Sequence, residues 1–345
     1  MKALVLEEYK KLVINDVPEP AVAPGEVLIR VHSCGICGSD VYGYDGSSGR
    51  RIPPIIMGHE ASGVVVKLGV GVNGFSEGDR VTFDSMISCG RCRFCRSGAP
   101  NLCDDRTVLG VSCEDYSRNG AFAEYVNVPA HIVFKVPDSL PFNEAAMVEP
   151  VSVAVHAVNL TPVRLGATAL VVGTGMIGLL TVQALRAAGC GAVIAADLDD
   201  GRLEAARKMG ADITLNPKST DVVEATKEIS GGAGVDIAME AVGVEVTVAT
   251  AIDSVRKGGS VTLIGNITPK IGFGLQSVVT REIAVRGSCA SSNDYPACLD
   301  LMAGGAIRCS DLISAVKPLE DGPVMFDRLY NHEPGLTKVI LNPMA

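Results

Sequence analysis

The sequence predicts an α/β protein with two parts, a β-rich unit and a doubly wound parallel sheet. Three observations carry this. The chain has 345 residues, which suits two domains of about 100–200 residues each. Short apolar runs broken by Gly, Pro and Asp fill the first ~150 residues. From about residue 165, continuous apolar runs alternate with helical stretches, the pattern of a parallel sheet covered on both faces.

Composition narrows the function. With 47% hydrophobic and 20% charged residues, the chain is not disordered. Its 30 Lys and Arg against 39 Asp and Glu give a net charge of −9, which argues against general nucleic-acid or anionic-lipid binding. With no Trp and 4% aromatic residues, it is poorly supplied for stacking nucleic-acid bases. The start, MKALVLEEYKK, lacks the apolar core of a secretory signal, so a cytoplasmic protein is expected. The 19 uncharged residues Ala167 to Leu185 match a membrane span in length. Gly173, Gly175 and Gly178 interrupt them, and a buried strand, turn and helix is the reading that fits.

Taken in order, Val27–Val31, Gly63–Val66 and Arg80–Phe83 are predicted strands. Then come ATALVVG (strand), MIGLLTVQALRAAG (helix), AVIAAD (strand) and DDGRLEAARKMG (helix). VDIAMEAVG, a helical run to Arg256 and the strand SVTLIG follow. The last part holds a helix from Tyr295 to Met302 and a closing strand, KVIL.

Gly173-Thr-Gly175-Met-Ile-Gly178 follows a strand and opens a helix, the context a dinucleotide fingerprint requires. Gly173 permits the tight turn, Gly175 lets a pyrophosphate approach, and Gly178 lets the helix pack on the sheet. Asp197 ends the next strand, 19 positions after Gly178, where an acid takes the adenosine ribose hydroxyls. It would repel a 2′-phosphate, which favours NAD over NADP. Arg202 could support the adenine side or accommodate a phosphate.

Eleven cysteines in a chain that is neither short nor secreted do not suggest a disulfide framework. Cys89, Cys92, Cys95 and Cys103 sit within fifteen residues and suit a closed, structural zinc site, with an iron–sulfur cluster as the rival. Most of the others read as small buried hydrophobes. Cys37 in SCGICGSD, His59 and Glu60 in IMGHEASG, and Glu149 in MVEPVSVAVHA form a mixed set able to leave zinc one open position. Singly, each also fits a packed Cys or an ordinary turn. His156 and His32 read as packed core histidines, and His131 and His332 carry no functional signal.

These motifs together resemble the zinc-dependent medium-chain dehydrogenases, and within them the sorbitol, xylitol and galactitol-phosphate group. CGICGSD, GHEASG, GDRV, the four-cysteine loop, GAFAEYV, VEPVSVAVHA, VVGTGMIG, AADLDDGR and KVIL carry the resemblance over essentially the whole chain. It implies a β-barrel-like (GroES-like) catalytic domain, residues 1–150 and 291–345, and an NAD-binding Rossmann domain, residues 151–290. It implies one catalytic and one structural zinc per chain. Cys37 and His59 match catalytic zinc ligands, Glu60 an acid that ligates or yields to water, and Glu149 a direct or outer ligand. Ser39 matches the hydroxyl that takes the substrate proton. Ile177, Asp197, Arg202, Ile264, Gly265, Asn266, Ser288, Cys289 and Ala290 match cofactor-binding positions. The implied activity is hydride transfer from a polyol or sugar alcohol to NAD. The implied assembly is a homodimer or homotetramer through the nucleotide-domain sheet edge, for which Ile264 to Val285 is the candidate stretch.

Three positions depart from sorbitol dehydrogenases. Tyr42 replaces a relay His, Gly43 an aromatic facing substrate, and Ala290 an Arg near substrate. They keep other substrates open: a simple secondary alcohol, a threonine-like amino alcohol, or a sugar phosphate met by Arg50 and Arg51. A catalytically silent nucleotide-binding protein is the alternative of another class.

Overall fold

The computed structural model describes all 345 residues, Met1–Ala345. The chain divides into two compact units. The first comprises Met1–Glu149, Tyr295–Gly304 and Cys309–Ala345, and the second Pro150–Asp294 and Gly305–Arg308.

The first unit is built on a seven-stranded sheet. Its order is Val133–Lys135, Arg80–Phe83, Glu60–Leu68, Glu26–Gly35, Val339–Asn342 and Ala315–Pro318, with Tyr125–Pro129 also paired to Glu26–Gly35. The Glu26–Gly35 strand alternates apolar residues inward and polar residues outward over much of its length, the period of a half-buried strand. A three-stranded sheet, Lys11–Asp16, Lys2–Glu8 and Ile55–Ile56, completes the framework. Leu4, Leu6, Ile29, Phe83, Phe122 and Phe326 are fully buried in its core. Phe122 and Phe326 meet edge to face, with centroids 5.7 Å apart, a favoured aromatic geometry.

The second unit carries six parallel strands in the order Ile213–Leu215, Ala192–Ala196, Thr168–Val172, Val235–Glu240, Val255–Leu263 and Ala284–Gly287. The central strands are buried along their length, as expected where helices cover both faces. Connections leave Thr168–Val172 in both directions, so a topological switch point lies at its C-terminal end, where such sheets bind ligands.

Ala167–Leu185 is a strand and a helix, Thr168–Val172 and Met176–Ala187, and no helix is long and apolar enough to cross a membrane. The expected helix to Arg256 stops earlier. It spans Glu245–Ser254, and the chain enters the strand Val255–Leu263 at β-branched Val255. His32 is not a core residue; it is exposed on its strand and stacks on Phe142 at 4.4 Å. Cys34, Cys190, Cys298 and Cys309 are buried as expected, whereas Cys289 is exposed.

Candidate functional site

Strand register assembles the first cluster. Glu26–Gly35 and Glu60–Leu68 are antiparallel, and Gly35 pairs with Glu60 where they meet. The segment after Gly35 and the His59–Glu60 pair are thereby brought together. A side chain on Gly35 would collide with the Glu60 carboxylate, so the small residue is a packing requirement. Cys37 caps the helix Gly38–Tyr44, its sulfur accepting from the Ser39 backbone N–H at 3.5 Å. The result places one ligand atom each from Cys37, His59 and Glu60 within 4.8 Å of one another.

Asp40 braces this cluster. Its buried carboxylate accepts from the Cys37 N–H at 3.3 Å and the Arg51 guanidinium at 3.0 Å. Oδ1 also lies 3.3 Å from His59 Nδ1, close enough for charge pairing but not aligned as a hydrogen bond. Burial disfavours the Asp40 charge, but His59 and Arg51 outweigh it and hold the carboxyl down at about 2. Burial likewise opposes a charge on His59, while Asp40 and the Cys37 sulfur raise its pKa. A buried imidazole facing a thiol and carboxylates is a donor set that fits zinc with an open coordination position.

Glu60 is buried and meets Lys338, whose Nζ lies 2.9 and 2.7 Å from its two carboxylate oxygens. Burial works against the Lys338 charge, yet Glu60 and Cys37 outweigh it and raise its pKa. Glu149 opens the helix Val148–Leu160 and does not join the close ligand group. Burial pushes its carboxyl up to about 7, against the pull of His59 and with Glu60 adding to the rise.

Ser39 is exposed on the same helix, and its hydroxyl accepts from Arg51 Nη2 at 3.3 Å. Arg51 is therefore not a solvent-facing phosphate grip, because it is 4% exposed and committed to Asp40 and Ser39. Arg50 is exposed. The glycine at position 43 now has a physical reason: a Cβ there would run into the Arg51 side chain. Tyr42 is 48% exposed.

The four remaining predicted thiols form a second cluster, with the Cys89, Cys92, Cys95 and Cys103 sulfurs all within 4.8 Å of one another. The loop that carries them is clipped at its base by the antiparallel pair Met86–Ile87 and Thr107–Val108. Backbone N–H groups point at the sulfurs, from Cys89 to Cys103 at 3.2 Å and from Cys92 to Cys89 at 3.4 Å. N–H groups of Cys95 and Asp104 bring the Cys92 thiol down to about 6, toward the thiolate a metal takes. The donor set fits a closed four-sulfur metal site.

In the second unit, Gly173 adopts φ +90°, and Gly178 packs so closely on the Gly173 carbonyl that no Cβ would fit. Gly175 differs, since a Cβ there would meet nothing within 4 Å. That space lies at the N-terminus of Met176–Ala187, which has no side-chain cap. Open space beside uncapped N–H groups fits a diphosphate. Asp197 follows the strand Ala192–Ala196 and accepts from the Thr174 and Asp199 N–H groups at 2.7 and 3.0 Å. Arg202 is exposed one turn away, where Asp199 caps its helix. Ile177 lies in the first turn of Met176–Ala187 and is half-buried.

Ile264 and Gly265 follow the strand Val255–Leu263, both N–H groups bonding to the Glu240 carbonyl, and exposed Asn266 comes next. Ser288 follows Ala284–Gly287 with its hydroxyl buried and unpartnered. Cys289 is exposed, and Ala290 takes a left-handed φ of +51°. The chain thus brings all these positions to the C-terminal ends of parallel strands. His156 is buried, as expected, but also paired, its Nδ1 lying 3.0 Å from Asp294.

Sequence reasoning missed Lys338, Asp40 and Glu240. Asp40 stands inside the SCGICGSD run and Lys338 heads the KVIL strand, so each had a local marker without a partner to interpret it. Glu240 is fully buried and holds the Val242 and Gly243 N–H groups and the Thr247 hydroxyl on one oxygen.

Comparison with known proteins agrees with this arrangement. Residues 23–138 match the family described as alcohol dehydrogenase GroES-like domain, and residues 177–304 match zinc-binding dehydrogenase. The chain is 35% identical to sorbitol dehydrogenase of Bacillus subtilis, over 99% of this chain and 97% of that protein. It is 36% identical to D-xylulose reductase A of Aspergillus oryzae, over 94% and 92%. A crystal structure of a zinc-binding dehydrogenase from Sinorhizobium meliloti bound to NADP superimposes with a TM-score of 0.90 at 34% identity, covering 99% of both chains.

Proposed function

We propose, for a chain that belongs to the zinc-dependent medium-chain alcohol dehydrogenases, that it oxidises a polyol or sugar alcohol at a secondary hydroxyl with NAD. The observation that carries this reading is the convergence of the Cys37, His59 and Glu60 ligand atoms within 4.8 Å, on the segment that also bears Ser39. The sorbitol and xylulose named for the relatives support the polyol class.

Cys37 and His59 would hold the catalytic zinc, with Glu60 and Glu149 as the nearby acids. Zinc supplies Lewis acidity toward the alcohol oxygen, and the nicotinamide supplies a hydride acceptor. Asp40 sets a negative charge beside the His59 ring and, through the Cys37 N–H, holds the segment carrying the thiol. Ser39 takes the substrate proton. The Arg51 bond into its oxygen orients the hydroxyl and leaves its hydrogen free to point elsewhere, so Ser39 accepts the substrate proton as it hands on its own. Ser39 is exposed, so the proton it hands on passes to water.

Cys89, Cys92, Cys95 and Cys103 would hold a second, structural zinc. Gly173, Gly175, Ile177 and Gly178 seat the cofactor diphosphate, and Asp197 takes the ribose hydroxyls, which favours NAD. Arg202, Ile264, Gly265, Asn266, Ser288, Cys289 and Ala290 complete the cofactor positions.

The protein is a cytoplasmic homodimer or homotetramer. The edge strand Ala284–Gly287 is exposed along its whole length, and Leu275 and Val279 nearby in sequence are each 65% exposed, which supports that edge as the contact.

The test is formation of reduced nicotinamide across polyols, sugar phosphates, threonine and simple secondary alcohols, with NAD and NADP, before and after chelation. Chelator-sensitive NAD activity confined to polyols is expected. Activity confined to threonine or a phosphate would overturn the substrate class, and chelator-resistant turnover would overturn the metal site.

A further inference from the structure

Glu240 is fully buried at the carboxyl end of the strand Val235–Glu240, and the chemistry above does not use it. One oxygen, Oε1, accepts three bonds: from the Val242 N–H at 3.0 Å, the Gly243 N–H at 2.8 Å and the Thr247 hydroxyl at 2.7 Å. The other, Oε2, is buried without a partner. Burying a carboxylate this way is unfavourable, and its hydrogen bonds all fall on one bend of the backbone and the helix that follows it.

That bend is wedged between two predicted cofactor segments. A Cβ on Gly173 would strike the Val242 side chain, and a Cβ on Gly265 would strike the Val242 and Gly243 backbone. Gly243 itself has φ +88°, and a Cβ there would strike the Gly265 and Asn266 backbone. The Gly243 carbonyl also accepts from the Thr268 N–H at 2.9 Å. A shift of the bend therefore displaces residues 264–266 with it.

Strand order says which part of the cofactor this concerns. Ala192–Ala196, Thr168–Val172, Val235–Glu240, Val255–Leu263 and Ala284–Gly287 lie side by side in that order. With the adenosine ribose at Asp197, after the first of these, and the diphosphate at residues 173–178, after the second, the nicotinamide half extends over the other three. The bend of Val242 and Gly243 is the next backbone along that line.

We propose that Glu240 is a positioning residue for the nicotinamide half of the cofactor, holding Val242 and Gly243 as a spacer that fixes residues 264–266 against the diphosphate turn. The proposal rests on the NAD reading of the second unit.

The test uses the full chain with zinc present, and titration calorimetry of reduced NAD and of AMP, which carries only the adenosine end. The readout is the ratio of the two affinities, which a general loss of stability leaves unmoved. Glu240→Ala removes the acceptor. The affinity for reduced NAD relative to AMP should fall about tenfold or more, with AMP itself within about threefold of wild type. Glu240→Gln keeps an acceptor oxygen for the bend and puts an amide nitrogen where Oε2 has no partner. It should melt earlier than wild type yet keep the ratio within about threefold.

An unmoved ratio in Glu240→Ala would overturn the proposal. So would a fall in Glu240→Gln as large as that in Glu240→Ala, since the acceptor would then not be what matters. If Glu240→Ala does not fold, Gly243→Ala decides, because its Cβ pushes the same bend away from Gly265 and Asn266 and leaves the carboxylate in place. The ratio should fall there too, and an unmoved one overturns the proposal. A wild-type chain that binds neither reduced NAD nor AMP would instead overturn the nucleotide reading itself.

Discussion

Arg51 donates to Asp40 Oδ1 at 3.0 Å, with both side chains inside the protein. The pair is what turns the GSD segment into a rigid support. Asp40 faces His59, a proposed zinc ligand, and Arg51 reaches Ser39. It also explains why position 43 is glycine, since Arg51 fills the space any side chain would need. Removing one partner of such a pair leaves the other charge buried.

Arg51→Met should accordingly destabilise the protein by about 3–5 kcal/mol, read from the denaturant midpoint. A drop below 1 kcal/mol with a selective rise in KM for phosphorylated substrates would restore Arg51 as a phosphate grip.

Metal content should separate the two clusters. Cys37→Ser is expected to lower kcat by about 10³-fold or more while cofactor affinity, measured by fluorescence of bound reduced nicotinamide, stays within a few-fold. Cys103→Ser should remove one zinc per chain and lower the melting temperature. Unchanged melting there would show that the loop needs no metal to hold its shape.

Asp197 should govern cofactor choice. Asp197→Asn keeps an acceptor for the Thr174 N–H and removes the charge a 2′-phosphate would face. The ratio of kcat/KM for NAD over NADP is expected to fall about tenfold or more. An unmoved ratio would assign the preference to another residue.

Stability in acid should report Asp294. Burial pushes its pKa up, but His156, the Ser292 N–H and Asn159 together bring it below the ordinary carboxylate value. A depressed carboxylate stabilises the fold above its unfolded pKa, and that contribution disappears as pH falls through the folded pKa. Asp294→Asn should therefore cost about 1.5–3 kcal/mol at neutral pH, with the gap to wild type closing below about pH 4. A gap constant down to pH 2 would show that the charge itself contributes nothing.

The nucleotide unit was largely legible in the sequence because its signals are local. A strand, three spaced glycines and an acid after the next strand are read within the 30 residues from Thr168 to Asp197, and these elements stand where expected. The four thiols were legible for the same reason. Lys338 was not, because its partner lies 278 residues away and a lysine at the head of an apolar strand ordinarily faces water. Arg51, a candidate partner for a sugar phosphate, is instead buried on Asp40, because sequence shows charge but not burial. His32 was misread although its face was legible: alternation with buried Ile29, Val31 and Ser33 puts it, like Arg30, on the outer side of its strand.

The strand Val339–Asn342 lies between Glu26–Gly35 and Ala315–Pro318 in the sheet of the first unit. During biosynthesis that place stays vacant until well after residues 168–287 have left the ribosome. The Thr168–Gly287 sheet has all its strands long before, so the unit begun first is finished last. A ribosome stalled before Lys338 emerges would hold a nucleotide-binding module already able to form, joined to a catalytic module lacking both an interior strand and the cation that faces Glu60.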